Sequence, residues 1–256
     1  MEDEKYLVFL NHISKDKPND FREERKSECP FCKRDKLTNI IDEKGPFILL
    51  KNKYPTLKDT LQLVLIETYE CEGNMSEYSD EYIQELIRFG THHWLKIEES
   101  CEYKSVIFYK NHGPRSGGSL KHPHMQIVGL NDIDYIEKLK EDYFKGIIIS
   151  KSELSEVNLS EKPLSGFSEF NIIISDNLDG IDELSCHIKK ITHYILNNYF
   201  AKCDSFNIYF YHWNGKIICK ISPRFTTSPL LLGYSIRQIP SCSEEIADKL
   251  RELYYK

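Results

Sequence analysis

The strongest constraint on this chain is the segment of residues 111–126, which reads NHGPRSGGSLKHPHMQ. At its end, His122, His124 and Gln126 are spaced two residues apart. Alternate side chains of a β-strand point to the same face of a sheet, so an extended segment would place two imidazoles and one carboxamide in a single row. We therefore predict a strand here, with a polar face that carries chemistry.

A glycine-rich, cationic loop precedes this row. Arg115 is followed by Gly117, Gly118 and Ser119, and such loops let backbone N–H groups approach phosphate oxygens closely. An imidazole beside a phosphate-binding loop is typical of sites in which a histidine attacks phosphorus. The segment therefore indicates chemistry at a phosphoryl centre with histidine as the nucleophile. The alternative is a strand that contains two histidines by chance.

The segment resembles the histidine-triad superfamily, in particular its galactose-1-phosphate uridylyltransferase branch. That branch has an asparagine, a loop with glycine and serine, and then His-Pro-His-x-Gln. The matching positions here are Asn111, Gly117, Ser119, His122, Pro123, His124 and Gln126. Diadenosine-tetraphosphate phosphorylases carry a looser version, whereas the histidine-triad hydrolases have a third histidine where this chain has Gln126. The resemblance therefore favours transfer over hydrolysis.

The resemblance also implies the fold, an α+β structure of two histidine-triad-like repeats, each an antiparallel sheet with packed helices. The apolar pattern shows the order strand, strand, helix, strand, strand in the first half, and we expect the second half to repeat it. In the first half the strands are expected at 47–52, 61–67, 105–110 and 123–130, and Ser79 caps the helix. In the second half they are expected at 169–175, 206–211 and 216–222, with a helix over 181–195 and a hairpin turn at Asn214-Gly215.

These patterns divide the chain into an N-terminal arm and two repeats. We predict the arm at 1–28, a catalytic repeat with a zinc knuckle at 29–150, and a second repeat at 166–256. Residues 151–165 are polar and are predicted to be a linker. The second repeat ends in KIICKIS without a histidine pair, so we expect it to be catalytically degenerate.

Composition excludes several classes of partner. The 256 residues carry a formal net charge of −6 and no basic block, and binding to nucleic acid requires basic residues that neutralise phosphates. No apolar run approaches the roughly 20 residues of a membrane span. Eight cysteines without a secretory signal indicate reduced thiols in the cytoplasm. We expect a cytoplasmic protein that binds neither nucleic acid nor membrane.

A metal site is expected around Cys29 and Cys32, because Cys-x-x-Cys is a common half-site for zinc. The resemblance supplies Cys71 and His122 as the other two ligands, although the family usually has histidine at the position of Cys71. His92 and His93 remain alternatives for the third ligand. Four protein ligands leave no open position, so one structural Zn²⁺ per chain is expected.

The resemblance assigns roles to further residues. His124 would form a covalent nucleotidyl intermediate, and Gln126 would donate a hydrogen bond to a phosphate oxygen. Asn52 would line the nucleotide pocket, and Tyr234 would approach the substrate across the interface of a homodimer. The phosphates would be bound by Asn111, Arg115, Gly117, Gly118 and Ser119.

Three functions therefore stay open. The first is nucleotidyl transfer from a nucleotide or nucleotide sugar. The second is phosphorolysis or hydrolysis of dinucleoside polyphosphates or nucleotide sugars with the same His124. The third is a zinc-stabilised nucleotide-binding protein without enzymatic activity.

Overall fold

The structure is a computed structural model that describes residues 5–15, 17–21 and 29–256. The described part is an α+β structure. In chain order its first half contains α1 (Asn11–Ser14), β1 (Ile40–Lys44), β2 (Phe47–Lys51), β3 (Thr60–Ile66), α2 (Asp80–Glu99), β4 (Ser105–His112) and β5 (His124–Leu130). Its second half contains β6 (Gly146–Lys151), β7 (Ser155–Ser160), β8 (Phe170–Ser175), α3 (Ile181–Asn197), β9 (Phe206–Trp213), β10 (Lys216–Pro223), α4 (Pro229–Tyr234) and α5 (Ser243–Tyr254).

These strands form a single antiparallel sheet in the order β1-β2-β3-β5-β4-β9-β10-β8-β7-β6. From the two edges inward, the halves follow the same order: β1-β2-β3-β5-β4 in the first half corresponds to β6-β7-β8-β10-β9 in the second. The halves join at the centre, where β4 pairs with β9 and Asn111 faces Asn207. The predicted α+β fold of two repeats is confirmed, with the difference that both repeats share one sheet.

The long helices cover one face of the sheet. Ser79 begins α2 as predicted, because its hydroxyl accepts the N–H of Tyr82 at 3.2 Å. Leu86 of α2 and Ile188 of α3 are fully buried in the main hydrophobic core. In the described part of the chain, no helix is long and apolar enough to cross a bilayer. Because α2 and α3 cover one face of the sheet, the opposite face is left for smaller elements and for the site.

The predicted linker at 151–165 is wrong. Its middle part is strand β7, and Ser155–Ser160 pairs with β6 on one side and β8 on the other. On this strand Ser155, Asn158 and Ser160 are buried and hydrogen-bonded; Asn158, for example, donates to the carbonyl oxygen of Phe144 at 3.0 Å. A strand whose buried positions are polar has the composition of a loop, so the apolar pattern did not reveal it.

The remaining predicted strands and both long helices are confirmed, with small differences at their ends. The predicted hairpin turn is also present, since Asn214 and Gly215 both have positive φ, +52° and +70°. Strand β1 was not expected, because all five of its residues are exposed and it forms one edge of the sheet. An exposed edge strand lacks the alternation of apolar residues that marks a strand in sequence.

Candidate active site and metal centre

The two faces of β5 differ in chemistry. Met125 and Ile127 are fully buried under the helices. His124 and Gln126 alternate with them and therefore lie on the opposite face of the sheet. Tyr109 of β4 is directly opposite Gln126, so the polar row continues onto the next strand. The predicted strand begins at His124, while the side chain of His122 belongs to the cluster of thiols described below.

The ring of His124 is buried and held in one orientation. Its Nδ1 lies 2.8 Å from the backbone carbonyl oxygen of His122. Because a carbonyl oxygen can only accept, Nδ1 carries the hydrogen and Nε2 carries the lone pair. Burial lowers the pKa of His124 to about 4, and the charges of Lys110 and Lys17 act in the same direction. The imidazole is therefore neutral at neutral pH, which is the form that can attack phosphorus.

Four possible metal ligands meet beside this ring. The ligand atoms of Cys29, Cys32, Cys71 and His122 all lie within 4.8 Å of one another. His122 Nδ1 is 3.6 Å from Cys29 Sγ and 3.5 Å from Cys32 Sγ. A tetrahedral zinc ion with Zn–S of about 2.3 Å and Zn–N of about 2.0–2.1 Å separates S and N by about 3.5 Å. The other ring nitrogen, Nε2, donates to the carbonyl oxygen of Thr68 at 3.0 Å, which frees Nδ1 as a ligand.

The chemistry of this cluster fits a soft divalent ion. Burial raises the pKa of the Cys29 thiol, and the adjoining Cys71 adds to the rise. A divalent cation would reverse this effect, because it stabilises the thiolate form. The alternative third ligands lie elsewhere: His93 Nε2 is 2.9 Å from Asp42 Oδ2, and neither His93 nor His92 belongs to the cluster. The cluster could therefore hold a metal ion through three thiolates and one imidazole.

The cysteine knuckle is in direct contact with both histidines. The Phe31 ring, between the two cysteines, meets the His122 ring edge-on with centroids 5.7 Å apart. It meets the His124 ring in the same way at 5.5 Å. His122 also supplies the carbonyl that holds Nδ1 of His124. A displacement of the knuckle would therefore move the His124 ring.

A buried ion pair lies behind His124, on the helix-covered face of the sheet. Lys110 Nζ contacts the carboxylate of Glu67, and both side chains are almost completely buried. Lys110 also donates to the carbonyl oxygen of His124 at 3.4 Å, and the Tyr78 hydroxyl donates to Glu67 at 3.2 Å. The pair thus fixes the backbone where β5 begins. Sequence reasoning missed it, because the partners are 43 residues apart and only the strand order brings them together.

The glycine loop is shaped by its contacts with the second half of the chain. Gly113 and Gly117 have φ of +82° and +87°. A Cβ on Gly113 would lie 2.1 Å from the carbonyl oxygen of Asp204, so only glycine fits there. The guanidinium of Arg115 donates to both carboxylate oxygens of Asp204 at 2.6 and 2.7 Å. The predicted phosphate-binding Arg115 therefore anchors the loop through an ion pair.

The other predicted phosphate-binding residues lie at the same end of β4. Asn207 donates from Nδ2 to Asn111 Oδ1 at 2.6 Å and to the carbonyl oxygen of Ser116 at 3.0 Å. The backbone N–H of Gly118 donates to Ser116 Oγ at 3.3 Å. The β4–β5 register ends with Lys110 opposite Met125, so Asn111 and His124 are the next pair. The structure therefore brings the loop and Asn111 to the end of β5 where His124 lies.

A segment of the predicted arm, residues 17–21, covers this loop. The backbone N–H of Asp20 donates to the carbonyl oxygen of Ser119 at 2.7 Å, and Asp20 Oδ2 accepts the N–H of Lys121 at 2.9 Å. Burial lowers the pKa of Lys17, and the Lys17 charge is close enough to lower the pKa of His124. Lys17 therefore places a cation near His124. Sequence reasoning did not identify it, because no spacing or motif marks this residue.

Two predicted residues lie away from β5. Asn52 follows β2, where its Oδ1 accepts the N–H of Tyr54 at 2.9 Å in a local turn. Strand β2 is two strands from β5, a separation of about 10 Å. Tyr234 ends α4 and is 74% exposed. Within a single chain, Asn52 is therefore a turn residue near the sheet edge and Tyr234 is a surface residue.

Comparison with known families gives a match along most of the chain. The N-terminal domain of DUF4931, a domain of unknown function, matches residues 9–133, and its C-terminal domain matches residues 136–255. The crystal structure of a DUF4931 family protein from Bacillus cereus ATCC 10987 is 47% identical, with a TM-score of 0.78. The alignment covers 85% of this chain and 100% of that chain. No curated protein matches the sequence.

Two solved enzymes share the fold at low sequence identity. An ADP-glucose phosphorylase from Arabidopsis thaliana, solved with bound ADP-glucose, is 15% identical with a TM-score of 0.69, over 91% of this chain and 92% of that chain. A uridylyltransferase is 14% identical with a TM-score of 0.70, over 90% and 92%. The resemblance to the uridylyltransferase branch of the histidine-triad superfamily is therefore confirmed at the level of the fold.

Proposed function

We propose that this chain, a member of the DUF4931 family, is a nucleotidyltransferase acting on a nucleotide sugar or a related nucleoside diphosphate compound. The observation that carries the proposal is the buried, neutral ring of His124, whose Nδ1–H is bound to a backbone carbonyl so that Nε2 keeps its lone pair. The fold shared with an ADP-glucose phosphorylase and a uridylyltransferase supports the same class of reaction.

In the first step, His124 Nε2 attacks the α-phosphorus of the nucleotide. The Nε2–P bond forms while the bond from phosphorus to the bridging oxygen breaks, and the leaving phosphate takes the electron pair. The ring gains positive charge, and the Nδ1–H bond to the His122 carbonyl oxygen becomes stronger as it does so. The product is a nucleotidyl-histidine, which divides one difficult transfer into two displacements.

Charge on the phosphoryl oxygens would be stabilised by groups around the end of β5. We assign the carboxamide of Gln126 and the N–H groups of Gly117 and Ser119 to the non-bridging oxygens, together with Asn111, whereas the N–H of Gly118 is donated to Ser116. Lys17 adds a positive charge near His124. The guanidinium of Arg115 is bound to Asp204 through one nitrogen, so its other N–H groups are free to reach a phosphate.

In the second step an acceptor attacks the nucleotidyl-histidine and restores neutral His124. A hexose 1-phosphate would give a new nucleotide sugar, inorganic phosphate would give a nucleoside diphosphate, and water would give a nucleoside monophosphate. Transfer to a sugar phosphate is the proposed reaction. Phosphorolysis is the second candidate, and the shared fold of the ADP-glucose phosphorylase is the observation in its favour.

We propose that the second repeat is catalytically silent. On β10, Ile217, Cys219 and Ile221 face the helices, so Lys220 and its alternate neighbours share the face of His124. That face of β10 therefore carries no imidazole. The ring of Phe144 lies 5.3 Å from Lys220 Nζ and closes the surface above it.

The proposal is tested by following the fate of the nucleotide. The protein is incubated with UDP-glucose, ADP-glucose or diadenosine tetraphosphate, each with labelled glucose 1-phosphate, with phosphate or with buffer alone. Label that enters the nucleotide sugar indicates transfer, nucleoside diphosphate formed only with phosphate indicates phosphorolysis, and monophosphate alone indicates hydrolysis. Binding without any product would contradict the enzymatic proposal and favour a nucleotide-binding protein.

Gln126→His is expected to shift the reaction toward hydrolysis. A third imidazole in the row would supply the acid/base group that water needs, whereas a carboxamide cannot transfer a proton in this way. We expect the ratio of hydrolysis to transfer to rise about tenfold or more, measured with saturating acceptor. Gln126→Leu serves as the control, since it removes the phosphate contact without adding a base and should lower both rates together. An unchanged ratio in Gln126→His would contradict the proposed role.

A homodimer is expected to form through α4. This helix contains no buried residue, and Leu232 and Tyr234 are 75% and 74% exposed in the single chain. Exposed apolar clusters of this kind are typical of interaction surfaces. Light scattering should give twice the 30.1 kDa mass of one chain, and Leu232→Asp should reduce the measured mass to that of a single chain. Leu253→Asp, at an exposed leucine of α5, should not change the mass. A fully active wild-type monomer would contradict the interface.

A further inference from the structure

A second polar site lies on the same sheet face as His124, at the end of β10. Asn207 of β9 is paired with Ser222 of β10. The backbone N–H of Arg224 donates to the carbonyl oxygen of Ser205 at 2.7 Å, which continues the same register beyond the end of the strand. Side chains alternate along an extended chain, so Arg224 shares the face of Ser222 and Asn207. Through Asn111, which faces Asn207, this face is continuous with that of His124.

Arg224 is half-buried, and one N–H of its guanidinium lacks an acceptor. Its Nε is buried and has no hydrogen-bond partner. Glu169, the carboxylate beside Lys220 on this sheet face, has both oxygens occupied: Lys220 and Leu164 donate to Oε2, each at 2.8 Å, and Ser165 donates to Oε1 from its N–H and its hydroxyl. A guanidinium N–H that is buried without an acceptor is costly, so this half-buried arginine in a cleft calls for a ligand.

The cleft around Arg224 has the composition of an anion site. Besides the guanidinium, its polar side chains are hydroxyl groups and one carboxamide, from Ser222, Thr226, Thr227, Ser228 and Gln238, and from Ser165, whose hydroxyl already donates to Glu169. No carboxylate lines it. The cleft is partly open to solvent, and its inner space of about 40 Å³ suits one small polar group better than a whole sugar ring.

The position of the cleft separates it from the phosphoryl group that His124 would attack. Strands β5, β4, β9 and β10 are consecutive neighbours, so β10 lies three strand spacings, or about 14 Å, from β5. The residues that line the cleft include none from β4, β5 or β9, so a phosphate bound there is a different group from the one beside His124 Nε2. An extended molecule with a phosphate at one end and another anionic group at the other end can reach both.

We propose that the Arg224 cleft binds a second oxyanion, a phosphate or a carboxylate. This oxyanion belongs to the sugar phosphate that is exchanged on the nucleotide, at the end away from the phosphate that reacts at His124. The preferred substrate is then a nucleoside diphosphate compound whose non-nucleotide half bears an additional negative charge. The inference rests on the proposed function for the orientation of the substrate. Binding of the anion itself requires no turnover, so it is measurable even if no nucleotide is transferred.

The test uses three sugar phosphates that differ only at carbon 6: glucose 1-phosphate, glucose 1,6-bisphosphate and glucuronate 1-phosphate. Their Kd values are measured by calorimetry at fixed ionic strength. Wild-type protein should bind the bisphosphate, the glucuronate or both about tenfold more tightly than glucose 1-phosphate, as expected for a charge-assisted hydrogen bond. Tighter binding of glucose 1,6-bisphosphate would identify the second oxyanion as a phosphate, and tighter binding of glucuronate 1-phosphate would identify it as a carboxylate.

Three variants test whether the preference for the sugar phosphates with a second anionic group depends on Arg224. Arg224→Met keeps the length of the side chain and should make the three Kd values equal, whereas Arg224→Lys should keep most of the preference. Lys216→Gln removes an exposed cation at the other end of β10 and should leave the preference intact. Equal affinities in the wild type, or a preference that survives in Arg224→Met, would overturn the inference. Such a result would leave the proposed function standing, since that function fails only if no nucleotide is transferred, phosphorolysed or hydrolysed.

Discussion

His124→Ala is expected to reduce nucleotidyl transfer about 10³-fold or more and to abolish the covalent adduct. The Nδ1–H of His124 donates to a carbonyl oxygen, so its Nε2 keeps a free lone pair. In His122, by contrast, Nε2 donates to Thr68 and Nδ1 lies against the cysteine thiols. The measurements are the steady-state rate with the best nucleotide substrate and the mass of the intact protein after incubation.

The fold and the metal cluster should survive this substitution, because His124 is not one of the four possible ligands. Circular dichroism and metal content therefore serve as checks on the variant. His92→Ala, at an exposed position of α2, is the matched control and should keep full activity. If His124→Ala still accumulates a nucleotidyl adduct, the nucleophile is another residue.

Loss of the metal is expected to have the largest effect on stability. Structural zinc contributes roughly 10–16 kcal/mol of apparent binding free energy in small zinc-binding peptides, and much of it stabilises the folded form. Cys32→Ser removes one possible ligand at an exposed position, so it disturbs little of the core. The variant should lose its metal and melt at a lower temperature. It should also lose activity, because Phe31 of the knuckle contacts the His124 ring.

The metal prediction is checked by elemental analysis of protein purified without chelators, which should show one zinc per chain. Cys101→Ser is the control, since this thiol is also exposed but lies outside the cluster. It should retain both metal and melting temperature. Wild-type protein without zinc, or Cys32→Ser with unchanged zinc, would rule out the assigned ligands.

The local part of the site could be predicted from sequence because it depends on short-range geometry. The two-residue spacing of His124 and Gln126 determines that they share a face, whatever the rest of the sheet does. The Cys-x-x-Cys spacing of Cys29 and Cys32 likewise predicts one half of a metal site. The other half, Cys71 and His122, came from the resemblance and not from spacing, because nothing local links those residues to the knuckle.

The parts that sequence reasoning missed depend on pairing between distant strands. Lys110 and Glu67 meet only because β3 and β4 both lie next to β5. Arg115 meets Asp204 only because the two halves join through β4 and β9. Neither pair has a periodic pattern, and both stabilise the backbone around the site. Register across a sheet is a tertiary property, so no window of sequence contains it.

The linker at 151–165 was wrong for a related reason. Its polar composition indicates a loop, but Asn158 is fully buried on β7 and accepts a hydrogen bond from Nδ2 of Asn171, which is equally buried on β8. A buried polar side chain costs little when its partner is in place. Composition cannot distinguish such a pair from two solvated residues in a loop.

The central claim is that the chain forms a nucleotidyl-histidine at His124. The most direct measurement is mass spectrometry of wild-type protein quenched during turnover with each nucleotide sugar, followed by peptide mapping at alkaline pH, where a phosphoramidate is stable. The structure predicts the mass of one nucleoside monophosphate on the peptide that contains His124, lost on acid treatment. Turnover without this adduct, or an adduct on a different residue, would contradict the assignment.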